Sequence, residues 1–102
     1  MRLDTMLVSV TFRYPRDRAP QGRRVSVVGS FNGWDPAAHP LERTPRGDWA
    51  TTVFLPPGRV VYGFWVDGAI RPDPLGEGRL ASTRGSEYSV RYVRPERTTS
   101  GA

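Results

Sequence analysis

The chain has no cysteine and no lysine, and its 102 residues include one histidine, His39. Without cysteine there are no disulfides and no thiolate metal ligands, so packing must hold the fold, as suits a reducing compartment. A lone histidine cannot supply the paired imidazoles of a metal site within one chain. Without lysine there is no phosphate loop of the Gly-Lys-Ser/Thr type. No run of about 18 apolar residues is long enough to span a bilayer. The opening Met1-Arg2-Leu3-Asp4 also lacks the apolar stretch of a secretory signal. These absences predict a cytoplasmic chain with no membrane partner, no metal and no cofactor.

Helical periodicity, internal repeats and low-complexity stretches are missing too. A chain of this size builds one domain with one modest core and is too short for a catalytic barrel plus an accessory module. Hydrophobic residues make up 37%, and 11 Gly and 10 Pro suit short strands joined by many turns.

All 15 basic residues are arginine, against 10 acidic ones, for a net charge of +5. Such an excess favours polyanions, because neutralised phosphates release counterions. The arginines are nevertheless scattered, with no run longer than Arg23-Arg24 and with acids between them. That dispersal is expected of a solvated surface rather than a nucleic-acid footprint.

Alternating apolar residues mark the strands. Val8, Val10, Phe12 and Tyr14 share one side of a first strand from Leu7 to Tyr14, and Val25 to Gly29 forms a second. Pro15 to Gly22, between them, reads as an exposed connection. The segment Gly29-Ser30-Phe31-Asn32-Gly33-Trp34-Asp35-Pro36 breaks the alternation with turn-forming pairs and carries two aromatics. Residues 37–48 are polar and turn-rich. Trp49 to Leu55 then makes a third strand, which Pro56-Pro57-Gly58 joins to a fourth from Arg59 to Asp67, an expected hairpin. On that fourth strand Val60, Tyr62, Phe64 and Val66 face one way, and Val61, Gly63 and Trp65 the other. Asp67-Gly68 is a strong hairpin turn leading to a short strand at Ala69 to Arg71. Leu75 to Gly85 shows only turn composition. Glu87 to Val93 closes the set, and a polar tail, residues 94–102, is expected to be mobile. Six or seven strands with regular turns predict an all-β sandwich occupying residues 1–93.

Catalytic constellations are lacking. No Gly-x-Ser-x-Gly elbow accompanies His39, and Asp35, Asp48, Asp67 and Asp73 stand where Asp favours turns. A paired-carboxylate glycosidase finds no support.

Val27-Val28-Gly29-Ser30-Phe31-Asn32-Gly33-Trp34, then Gly47-Asp48-Trp49, Leu55-Pro56-Pro57-Gly58 and Tyr62-Gly63-Phe64-Trp65-Val66-Asp67-Gly68 follow in order along nearly the entire chain. Together they resemble the carbohydrate-binding modules of family 48. These are the early-set domains at the N-termini of isoamylases and glycogen branching enzymes, and the glycogen-binding domain of the AMP-activated protein kinase beta subunit. The resemblance implies an immunoglobulin-like (early-set) β-sandwich of about seven antiparallel strands. It also implies a non-catalytic module that binds α-1,4-linked glucan, either glycogen or a maltooligosaccharide. By the same resemblance Trp34 would stack on a glucose ring, its plane covering the C–H face of the pyranose while polar groups read the hydroxyl rim. Read from the residues alone, Trp34 would be a lid over the end of the core.

The sequence departs from the family at three contacts. Gly63 stands where the kinase modules carry a basic residue, Ile70 where they carry a second Trp, and Tyr88 where a late Asn bonds sugar. Trp65 lies on the same face as Gly63, and Arg71 is a candidate replacement donor, with Asn32 beside Trp34. The expected carbohydrate site is therefore Trp34, Trp65, Arg71, Asn32, Gly63 and Tyr88. Val61 and Trp65 are equally consistent with packing under a loop or docking on a glycogen-metabolising enzyme, in a module that has lost sugar binding. Kinship to a glycoside hydrolase family 13 enzyme is the remaining alternative. With one or two aromatic platforms against the ordering cost of a flexible chain, a Kd of about 0.1–1 mM is expected.

Overall fold

A computed structural model describes residues 6–18, 24–76, 78–81 and 87–95. Eight strands appear among them: β1 (Val8–Tyr14), β2 (Val25–Gly29), β3 (Glu42–Arg43), β4 (Trp49–Leu55), β5 (Gly58–Val66), β6 (Ala69–Arg71), β7 (Gly78–Ala81) and β8 (Glu87–Val93), with one 3-10 turn at Arg16–Arg18. All pairings are antiparallel. One sheet has the order β1-β4-β3; the other runs β2-β5-β8-β7, with β6 also paired to β5. The expected β-sandwich is the observed architecture.

The alternation read from sequence sets which side of each strand is buried. Val10, Phe12 and Tyr14 of β1, Trp49, Val53 and Leu55 of β4, Val25 and Val27 of β2, and Val60, Tyr62, Phe64 and Val66 of β5 make up the core between the sheets. Phe12 and Tyr62 meet edge to face at 5.0 Å, and Tyr14 meets Phe64 at the same distance, so aromatics from both sheets interlock across the sandwich. Burying a side chain of this size contributes about 1.5–3 kcal/mol, which makes these contacts the main hold between the layers.

Three expectations need correction. β4 and β5 are not a hairpin: β4 pairs with β1 and β3, and β5 with β2, β8 and β6. Pro56-Pro57 therefore carries the chain from one sheet to the other, which suits residues unable to donate to a ladder. Within Leu75 to Gly85, read as turn alone, β7 pairs with β8 from Gly78↔Val90 to Ala81↔Glu87. Its Gly-Arg-Leu-Ala sequence has little β propensity, so the neighbouring strand's free edge supplies the order. Residues 37–48, also read as turn, hold β3 and the buried Leu41, whose N–H bonds Val25 O at 2.8 Å.

The hairpin at Asp67-Gly68 is present, with φ of 46° and 100° and with β6 antiparallel to β5. The expected mobile tail beyond Pro95 and most of the connection after Arg18 lie outside the described residues.

Outside the inter-sheet core, the outer face of the five-stranded sheet is unusually apolar. Val28 and Val90 are buried there without belonging to the core cluster, and Val28↔Gly63 and Val61↔Val90 are cross-strand pairs on that face. A sheet face that buries valines away from the core must be covered by something else.

Candidate functional site

The segment after β2 places Trp34 against Tyr88 of β8. Gly33 and Trp34 both adopt left-handed backbone, with φ of 66° and 60°. For glycine this conformation is free, whereas for a bulky residue it costs on the order of 1–2 kcal/mol. A tryptophan held there is a backbone strain that the surrounding bonds must sustain.

Those bonds are dense. Trp34 N–H and Asn32 N–H both donate to Gly29 O, at 3.0 and 3.1 Å. Asn32 Oδ1 accepts Gly29 N–H at 3.0 Å, and its Nδ2 donates to Val27 O at 3.0 Å and to His39 Nδ1 at 2.9 Å. An amide nitrogen can only donate, so His39 Nδ1 accepts and the imidazole carries its proton on Nε2. Asp35 Oδ1 takes Ala37 N–H and closes the far side of the turn.

The two aromatics of this turn separate. Phe31 turns inward, 5.7 Å from Phe12 in a stacked arrangement and 5.6 Å from His39. It is Phe31, then, that caps the end of the core. Trp34 is half-buried and stands against Tyr88 of β8, with ring centroids 5.0 Å apart and planes 58° apart.

Tyr88 projects on the same side of β8 as Val90, hence on the outer face. On that face the strip continues past Gly63 to Trp65, which lies opposite Ser26 on one side and Ile70 on the other, with the Arg24 guanidinium 5.9 Å from its ring. Gly63 and Trp65 are two residues apart on β5, or about 6.6 Å. A Cβ at Gly63 would sit 3.0 Å from Ile70 Cγ2 and 3.3 Å from Arg71 O.

Of the residues expected in a carbohydrate site, the structure brings together Trp34 and Tyr88, and sets Gly63 and Trp65 on the same face. Asn32 is next to Trp34, with its amide committed to the turn. Arg71 is elsewhere. Paired with inward-facing Phe64, it points to the opposite side of the sheet and lines a cleft with Tyr14. Val61 and Trp65 are half-buried. The resemblance put Trp34 and Tyr88 in one expected site; what it did not give is their ring contact, for which no local spacing gives a signal, since 54 positions separate the two.

The sequence profile described as "Glycogen recognition site of AMP-activated protein kinase" matches residues 8–93. The chain belongs to this family. Among similar proteins, a 1,4-alpha-glucan branching enzyme of Pseudomonas syringae pv. tomato is 47% identical over 74 residues, covering 64% of this chain and 9% of that enzyme. A branching enzyme of Rhodospirillum rubrum is 35% identical over 82 residues, covering 80% of this chain and 10% of that enzyme. The chain thus spans about a tenth of the length of these relatives. Among the described residues, no group of three or more His, Cys, Asp or Glu is arranged to hold a metal ion. No helix among them is long and apolar enough to cross a membrane.

Proposed function

We propose that this module binds α-1,4-linked glucan, of the glycogen or maltooligosaccharide class, on the outer face of the five-stranded sheet, and performs no catalysis itself. Membership of a glycogen-recognition family supports the ligand class. The observation that carries the site is the pairing of a strained, half-buried Trp34 with Tyr88 at 5.0 Å. Backbone strain held by a dense hydrogen-bond network is the mark of a side chain kept in place for use.

The physical fit is good. Two aromatic planes inclined by 58° make a shallow trough rather than a flat shelf, and an α-1,4-linked chain is itself curved. Each ring covers a patch of sugar C–H, while the Tyr88 hydroxyl and the Trp34 indole N–H offer polar contacts at the rim. The strip past Gly63 and Ile70 to Trp65 extends the surface along the chain. Few ligand atoms are enclosed, which supports a Kd of about 0.1–1 mM. In this reading Asn32 and Gly33 position Trp34. A glycogen-metabolising enzyme is the proposed beneficiary, because the similar regions belong to branching enzymes.

The test is a titration of maltoheptaose into isotopically labelled protein, following amide and indole resonances. Saturable shifts at Trp34, Tyr88 and the outer face, lost in Trp34→Ala, are the expected result. An unchanged spectrum at millimolar sugar would overturn the reading and leave a docking domain.

A further inference from the structure

The cleft that Arg71 lines with Tyr14 lies on the other side of the five-stranded sheet, at the mouth between the two layers. Tyr14 at the end of β1, Arg18 at the end of the 3-10 turn, Arg71 of β6, Pro72 and Pro74 line it, around a space of about 330 Å³. That volume falls in the range of small-molecule sites, about 300–1,000 Å³, and equals the share of roughly ten waters in the liquid.

Its chemistry is one-sided. Among the described residues, neither guanidinium, Arg18 or Arg71, has a hydrogen-bond or ion-pair partner, and no carboxylate lines the cleft. Asp73, between the two prolines, is turned away and satisfied: Oδ2 accepts the Tyr62 hydroxyl and Oδ1 accepts Leu75 N–H at 2.8 Å. Tyr14 supplies the second observation. It is only 3% exposed, yet its hydroxyl bonds to no described residue and it forms part of the cleft lining. The ring is packed away while the hydroxyl reaches the cleft, where a ligand oxygen would accept its hydrogen bond.

The walls are pre-set. Asp48 Oδ1 holds Arg16 N–H at 3.1 Å, and Arg18 N–H bonds Pro15 O at 3.1 Å, fixing the turn that presents Arg18. The β5 pairing fixes Arg71, and Asp73 N–H to Ser89 Oγ at 2.7 Å pins the Pro72-Pro74 wall to β8.

We infer that this cleft binds a phosphate monoester, of hexose phosphate size. Two planar guanidinium forks and one O–H match three terminal oxygens carrying close to two negative charges. A carboxylate offers only two oxygens, and a nucleic-acid backbone would require a track of cations instead of two at one recess. The space left beyond a phosphate admits a hexose against the proline rings. The site is independent of the glucan platform, which occupies the opposite face. A free hexose phosphate and a phosphate group borne on a glucan present the same chemistry.

The test uses the isotopically labelled chain, titrated separately with glucose 6-phosphate, inorganic phosphate, glucose and a phosphorylated maltooligosaccharide. Saturable shifts at Arg18, Arg71 and their Nε–H groups are expected with each phosphate and none with glucose. Arg18→Gln and Arg71→Gln should each weaken binding about tenfold, the loss of a hydrogen bond to a charged group, and Tyr14→Phe should weaken it less. Trp34→Ala should leave glucose 6-phosphate binding unchanged, which separates this site from the glucan platform. Equal affinity for the small and the polymeric phosphates identifies a free hexose phosphate as the ligand. A tenfold preference for the phosphorylated oligosaccharide, lost in Trp34→Ala, identifies a phosphate on glucan. The absence of saturable shifts at millimolar phosphate, or shifts that persist in the Arg18→Gln/Arg71→Gln double variant, would overturn the inference.

Discussion

Gly63 and Ile70 form a matched pair: Ile70 Cγ2 occupies the space a side chain at position 63 would need, 3.0 Å from where its Cβ would lie. The two departures from the family pattern on this face are therefore one structural event, an isoleucine leaning over a glycine. Gly63→Lys alone should destabilise the fold by about 1–3 kcal/mol through overpacking. In the Ile70→Ala background the same change should cost less, giving a coupling of about 0.5–3 kcal/mol in a double-mutant cycle. Urea unfolding of the four proteins measures it, and additivity would show that the contact does not matter.

Asn32 is the hub of the turn that presents Trp34, since one amide satisfies Gly29 N–H, Val27 O and His39 Nδ1. Asn32→Ala strands these part-buried groups and should cost about 1–3 kcal/mol. Asn32→Asp should not rescue stability, because its second oxygen would face the Val27 carbonyl where the amide donates. Thermal unfolding tests both variants, and maltoheptaose affinity should fall in parallel as Trp34 loses its support.

Trp34 itself offers a separation of stability from function. At φ of 60° any side chain is strained and glycine is not. Trp34→Gly should thus be more stable than Trp34→Ala by about 1 kcal/mol, while both lose glucan binding. Equal stability of the two would show that the left-handed backbone is not maintained in solution.

Most of the fold was legible because one face of each long strand is buried, and burial imposes a period of two that composition displays directly. Trp49–Leu55 was read with its observed bounds for that reason; Val25–Gly29, also read with its observed bounds, is buried at every position. What escaped was pairing. Pro56-Pro57 marks the end of β4 but not the sheet its successor joins, and β7 draws its order from β8 rather than from its own side chains. The site divides along the same line. Trp34 and Tyr88 were both named through the resemblance, whereas their ring contact and the placement of Arg71 beside Tyr14 depend on strands distant in sequence. Dispersal of arginines along the chain likewise says nothing about their gathering in space, and Arg18 and Arg71 meet at one cleft.

Tyr14 provides a test that links burial to pH. Desolvation raises its phenol pKa above the ordinary value of 10.0, outweighing the opposing charges of Arg71 and Arg18, while Asp73 adds to the rise. The folded state therefore holds this proton more tightly than the unfolded chain does. Its contribution to stability is complete below about pH 10 and is lost as pH climbs through the folded value. Tyr14→Phe should flatten the decline in stability above pH 10, and Arg71→Gln should push the Tyr14 titration higher by removing a favourable charge. Urea unfolding of the wild type and Tyr14→Phe above pH 10 reads the first effect, and absorbance titration of the phenolate in the wild type and Arg71→Gln, each compared with its Tyr14→Phe counterpart, reads the second. An ordinary titration for Tyr14 would mean that its hydroxyl is solvated, and the cleft would then be wide enough for water to serve both guanidinium groups.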